Sequence, residues 1–128
     1  MRVLNNITNK CDCPIYYYYD TMISTVCAAC DYTCYSCSGS STTCTACLNT
    51  TNRNLSGSSC PCVNGYYNVI NQPICQTCSY QCVTCQGNAN NCTLCSAANY
   101  RNITPTCNCI NGYYNNNSAV CLPCHYTC

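Results

Sequence analysis

The chain has 128 residues, of which 21 are cysteine and 13 tyrosine. Its four basic side chains stand against three acidic ones, Asp12, Asp20 and Asp31, with no glutamate. So much cysteine marks a disulfide scaffold suited to an oxidising compartment. So little charge excludes a basic nucleic-acid footprint and the lysine- and glutamate-rich surface of a cytosolic domain.

Residues 1–10 read as a lead-in. Met1-Arg2-Val3-Leu4 is followed by no apolar run of the signal-peptide kind, and no stretch approaches the roughly 18 apolar residues of a membrane span. A secreted-type composition with this start predicts a segment of something longer. Cys11-Asp12-Cys13 opens the first of three similar units, residues 11–59, which continues through Cys27, Cys30, Cys34, Cys37, Cys44 and Cys47. Cys60-Pro61-Cys62 opens the second, residues 60–106, with Cys75, Cys78, Cys82, Cys85, Cys92 and Cys95 in the same order. Cys107-Asn108-Cys109 opens a partial third, residues 107–128, running through Cys121 and Cys124 to Cys128. A period of about 48 residues is that of a repeat array. A module of this size cannot bury enough apolar area to fold unaided, so covalent staples must stand in for a core.

Within a repeat, Cys62-Val63-Asn64-Gly65-Tyr66-Tyr67 matches Cys109-Ile110-Asn111-Gly112-Tyr113-Tyr114, whereas in the first copy Tyr16 stands in the glycine position. Asn-Gly beside short β-favouring segments predicts a small β-finger with paired tyrosines on its arm. The next element, Cys-x-x-Cys-x-Tyr-x-Cys, carries Tyr32, Tyr80 and Tyr126. Turns at Gly39 and Gly87 follow, and polar loops join Cys47 to Cys60 and Cys95 to Cys107. No 3.6-residue apolar period occurs anywhere, so short two-stranded ribbons, turns and irregular backbone are expected.

Cys44/Cys47 and Cys92/Cys95 have the spacing of zinc ligands. Interleaving with other spacings throughout, and a single histidine, favour disulfides over a metal cluster. The βαβ setting of a redox-active Cys-x-x-Cys is absent. His125 takes the place of Asp31 and Ser79 in the repeat and reads as a surface substituent. Three carboxylates, all ahead of residue 32, give acid–base catalysis no material, so neither an enzyme nor a resident cofactor is expected. N-glycosylation sequons begin at Asn6, Asn49, Asn54, Asn91, Asn102 and Asn116. Glycans there would supply the solubility that a nearly neutral, tyrosine-rich surface lacks. Tyr66, Tyr67, Tyr113 and Tyr114 are expected to pack over disulfides. The run Tyr16-Tyr17-Tyr18-Tyr19 cannot all point inward on a strand, and its outward members are candidates for contact with other copies.

Two strings carry a resemblance: Cys121-Leu122-Pro123-Cys124-His125-Tyr126-Thr127-Cys128, and Cys27-Ala28-Ala29-Cys30-Asp31-Tyr32-Thr33-Cys34-Tyr35-Ser36-Cys37 with its continuation to Cys47. They resemble the furin-like, growth-factor-receptor type cysteine-rich repeat, over nearly the whole stretch from Cys11 to Cys128. The tyrosine- and asparagine-rich, charge-poor flavour is similar to tandem arrays in large surface proteins of ciliated protists. Cys-x-Cys stands here where many members have Cys-x-x-x-Cys. The resemblance implies pairing of sequential neighbours: Cys13–Cys27, Cys30–Cys34, Cys37–Cys44, Cys47–Cys60, Cys62–Cys75, Cys78–Cys82, Cys85–Cys92, Cys95–Cys107, Cys109–Cys121 and Cys124–Cys128. Cys11 is left over, unpaired or bonded to a preceding copy. A crossed register, first with third and second with fourth in each cluster, stays open.

The expected fold is an elongated, disulfide-rich rod of tandem modules with little regular secondary structure, since local staples let each module touch only its neighbours. The expected function is structural: a repeat segment of an extracellular filament or cell-surface coat, whose partners are copies of itself or neighbouring repeats of the same parent chain. A cysteine-rich spacer of a receptor or adhesion ectodomain, or a variable surface antigen, is the alternative.

Overall fold

A computed structural model describes residues 3–5, 10–19, 26–102 and 104–126. It is a small disulfide-rich protein of short antiparallel two-stranded ribbons, with two single-turn 3-10 helices, Asn49–Thr51 and Ala97–Asn99, among the described residues. No helix among them is long and apolar enough to cross a membrane. The chain divides into two compact units, residues 1–62 with 70–74 and residues 63–69 with 75–128.

The first unit opens with Val3–Asn5 paired to Lys10–Asp12. A finger follows, Tyr17–Tyr19 against Cys27–Ala29. The second ribbon, Ser36–Cys37 against Cys44–Ala46, carries an irregularity at its first pair. The 3-10 turn comes next and leads to the isolated bridge of Arg53 with Cys62. In the second unit the finger is Tyr66–Tyr67 against Gln76–Thr77, and the second ribbon Thr84–Cys85 against Cys92–Leu94. The 3-10 turn then gives way to Arg101–Asn102 paired with Asn108–Cys109, and a second finger, Tyr113–Tyr114 against Leu122–Pro123, completes the unit.

The fingers form, but the Asn-Gly dipeptides sit at their base and not at their tip. Tyr66 N–H donates to Val63 O (3.1 Å) and Tyr113 N–H to Ile110 O (3.1 Å), closing turns that deliver the chain into the first strand. A two-residue hairpin at Asn-Gly needs a free strand ahead of it. Here the preceding Cys62 or Cys109 is already bridged to Arg53 or Arg101.

Sulfur makes the core. In the first unit Cys34, Cys37, Cys44 and Cys60 cluster together, with Tyr18, Cys30 and Cys47 packed against them. Ile15, Val26 and Ile70 lie exposed. Apolar side chains too few to enclose one another stay outside, and disulfides occupy the centre.

Disulfide pairing inside the four-cysteine clusters corrects the sequential register. The bonds are Cys30–Cys37 and Cys34–Cys44 in the first unit, and Cys78–Cys85 and Cys82–Cys92 in the second. Cys30–Cys34, Cys37–Cys44, Cys78–Cys82 and Cys85–Cys92 do not form. Cys37 lies directly opposite Cys44, and Cys85 opposite Cys92, so each pair shares one face of its ribbon. Each of these cysteines bonds to one of the two that precede the ribbon, which staples the ribbon to the chain ahead of it, where a bond across it would only repeat the strand pairing. Outside the clusters the bonds are Cys13–Cys27, Cys47–Cys60, Cys95–Cys107 and Cys109–Cys121. Cys62 and Cys75 are disulfide-bonded as well.

Candidate functional site

Two basic residues are buried among the described residues. Arg53 and Arg101 are each 2% exposed, at matching positions just after the 3-10 turn. A buried guanidinium requires its donors to be satisfied, and main-chain carbonyls satisfy these. Arg53 donates from Nε to Pro73 O (2.7 Å), from Nη1 to Cys60 O (3.0 Å) and from Nη2 to Gln72 O (3.3 Å). Arg101 repeats the set on Ala119 O (2.8 Å), Cys107 O (3.0 Å) and Ser118 O (2.8 Å), and adds Asn115 Oδ1 (2.9 Å). Each arginine faces a tyrosine ring, Tyr32 at 5.8 Å from Arg53 and Tyr80 at 5.6 Å from Arg101. Burial pushes the pKa of Arg53 down, and the neighbouring Tyr32 and Asp31 pull it back up.

One acceptor of each arginine, Cys60 O or Cys107 O, is the cysteine that opens the following repeat, and the others belong to that repeat's finger loop, so each arginine joins the polar loop of one repeat to the finger of the next. In the second unit the joint extends further. Asn115 accepts from Arg101 and donates from Nδ2 to Tyr80 Oη (3.0 Å), tying the tyrosine platform to the same loop. Tyr32 and Tyr80 of the Cys-x-x-Cys-x-Tyr-x-Cys element thus each face the arginine of their own unit, whereas Tyr126 is exposed. In the sequence these arginines stand out only as charge. The available signal is their phase: in a chain nearly devoid of base, Arg2, Arg53 and Arg101 each stand a short way ahead of a Cys-x-Cys.

The tyrosine run is split between the core and the surface. Tyr18 packs against the sulfur cluster. Tyr16 and Tyr17 are 49% and 44% exposed and line a cavity within the first unit. The Tyr19 side chain lies outside the described residues. Tyr16 is unusual in its backbone, with φ 70° where Gly65 and Gly112 have φ 85°. The left-handed region costs a residue with a Cβ about 1–2 kcal/mol. The hydrogen bonds around it match those of the glycines: Cys30 N–H donates to Tyr16 O (2.8 Å), as Cys78 N–H does to Gly65 O (2.8 Å). Its ring meets Tyr35 edge to face at 5.4 Å.

Of the sequon asparagines, Asn49, Asn54, Asn91, Asn102 and Asn116 are exposed, and Asn6 lies outside the described residues. Asn54 and Asn102 follow the two buried arginines directly. Asn91 donates from Nδ2 to Gln86 O (2.9 Å), and Asn116 Oδ1 accepts from Ser118 Oγ (2.8 Å). In the Asn49 sequon Thr51 is buried, its hydroxyl turned to Leu48 O. Tyr66, Tyr67 and Tyr113 are half-buried, and Tyr114 is exposed. The side chain of Cys11 and all of Cys128 fall outside the described residues, and with them the expected Cys124–Cys128 bond; Cys124 is exposed. Among the described residues no group of three or more His, Cys, Asp and Glu is placed to hold a metal ion.

No family model matches the chain, and neither a curated protein nor a solved structure is similar to it.

Proposed function

We propose that the chain is a structural repeat segment of an extracellular filament or cell-surface coat. It is built from modules of the furin-like type, N-glycosylated at exposed asparagines and self-associating. The observation that carries this reading is that one joining device is built twice. Arg53 and Arg101 sit in equivalent places, under equivalent tyrosines, each holding the finger loop that follows it. Among the described residues the buried positions are eleven cysteines, these two arginines and Thr51. Disulfide density on this scale suits an oxidising, extracellular setting.

The oxidised chain, examined by sedimentation velocity and negative-stain microscopy over a concentration series, tests the proposal. Regular assemblies growing with concentration are expected, and dispersed monomers at high concentration refute self-association. The tyrosine-walled cavity favours a second reading, a spacer within a receptor or adhesion ectodomain. Monomers throughout the same series support that one.

A further inference from the structure

The first unit holds a cavity of about 440 Å³, within the size range of small-molecule sites. Its walls include four tyrosines, Tyr16, Tyr17, Tyr32 and Tyr35, with Leu48 and Asp31 beside them. The repeat frame puts Gly65 in the place of Tyr16, Val83 in that of Tyr35, Ser96 in that of Leu48 and Ser79 in that of Asp31. Tyr17 and Tyr32 have counterparts in Tyr66 and Tyr80, so what the first unit adds to the common module is Tyr16, Tyr35, Leu48 and the carboxylate. The chain accepts a left-handed tyrosine to build that wall, where its sister repeats keep glycine. Strain held against the pattern of the fold points to use.

Electrostatics and polarity define the guest. The Tyr32 ring already faces the guanidinium of Arg53, so a cationic guest at that ring meets a positive charge. The Asp31 carboxylate on the wall repels an anionic one. An aliphatic guest would bury tyrosine hydroxyls and a carboxylate without hydrogen bonds. Asp31 Oδ1 accepts from Thr33 N–H (3.0 Å) and Thr33 Oγ1 (2.6 Å), which fixes the carboxylate as an acceptor. A neutral ring with one C–H face and a rim of hydroxyls suits both the tyrosine faces and the acceptor. We propose that this cavity binds a neutral pyranose sugar, a binding site beyond the structural role argued above.

The oxidised full-length chain is titrated with the methyl pyranosides of glucose, galactose, mannose and N-acetylglucosamine, and with choline as a cationic control. Saturation-transfer and two-dimensional NMR give the readout. The expected result is transfer to at least one pyranoside, with shifts at the Tyr16, Tyr17 and Tyr35 rings and roughly tenfold weaker binding by Y16G. That variant installs the residue the other repeats carry, so the backbone conformation is retained; non-reducing mass and the amide spectrum check its fold. Y35V, which copies the second unit, gives the same reading should Y16G misfold. Absence of any pyranoside effect on the tyrosines, equal binding by the wild type and Y35V, or choline binding tighter than every sugar overturns the proposal.

Discussion

Removing the Arg101 side chain tests the joint between repeats most directly. Arg101→Ala deletes four hydrogen bonds, to Cys107 O, Ser118 O, Ala119 O and Asn115 Oδ1, and uncovers the Tyr80 ring. A hydrogen bond from a charged donor contributes about 1.5–3 kcal/mol. The four do not add, because the freed carbonyls recover water once the loop opens. Breaking a buried network of this kind costs about 3–5 kcal/mol. The lower figure corresponds to roughly a hundredfold change in an opening equilibrium. The disulfides hold the ribbons regardless, so the loss should appear as local opening of the finger loop and not as global unfolding. The reporters are the amides of Asn117, which donates to Asn115 Oδ1 (3.2 Å), and Cys121, which donates to Asn99 O (3.0 Å). Hydrogen exchange at both should accelerate about a hundredfold in Arg101→Ala. Arg101→Lys should recover only part of this, since one ammonium cannot reproduce the fork. Exchange changed less than threefold, or changed equally at the Thr84–Cys85 ribbon, would falsify the assignment of Arg101 as the clamp of that loop.

The crossed register makes a mapping prediction. Chymotryptic cleavage after Tyr32 and Tyr35 under non-reducing conditions should leave the Cys30 peptide and the Cys34 peptide both bonded to the one holding Cys37 and Cys44; Cys30 and Cys34 peptides bonded to each other without that third peptide refute it. Gly65→Ala should cost about 1–2 kcal/mol in a denaturant titration with disulfides intact. The space around Gly65 is open, so the cost comes from its φ of +85° alone; an unchanged midpoint refutes that. In material expressed in a secretory host, glycosidase treatment should shift the mass of peptides containing Asn54 or Asn102. The peptide containing Asn91 should stay unchanged, because its sequon runs through the bonded Cys92 and its amide is engaged. Occupancy at Asn91 in preference to Asn54 contradicts this.

The fold class is readable from the sequence because cysteine spacing recurs, and recurrence of a staple is recurrence of a loop. Fingers, second ribbons and polar loops fall where the repeat puts them. Pairing within a cluster is a different kind of information. It depends on which residues of a ribbon lie opposite one another, and Cys37 meeting Cys44 is a matter of register that spacing does not carry. The Asn-Gly turns mislead for a related reason: their usual hairpin requires a free strand upstream, and that position is taken by the bridge to arginine. Arg53 and Arg101 stay hidden because a basic residue in a polar loop is ordinarily solvated; only its return in phase distinguishes it. Tyr16 in a glycine position is visible in the sequence, but the cavity beside it needs Leu48 and Ile74 to arrive from distant loops.

The first unit takes residues 70–74 from beyond its own Cys60-Pro61-Cys62 opening, because Arg53 draws them in. The finger loop of a repeat is therefore fastened by the arginine of the repeat before it. Cutting or splicing such a chain at the Cys-x-Cys boundary severs a loop from its arginine, whereas a cut placed just after the finger loop leaves the joint whole. Duplication of one full period adds a fastening together with the piece it fastens. A chain of this kind lengthens without new design, and its natural unit of inheritance is offset from the unit that the cysteines suggest.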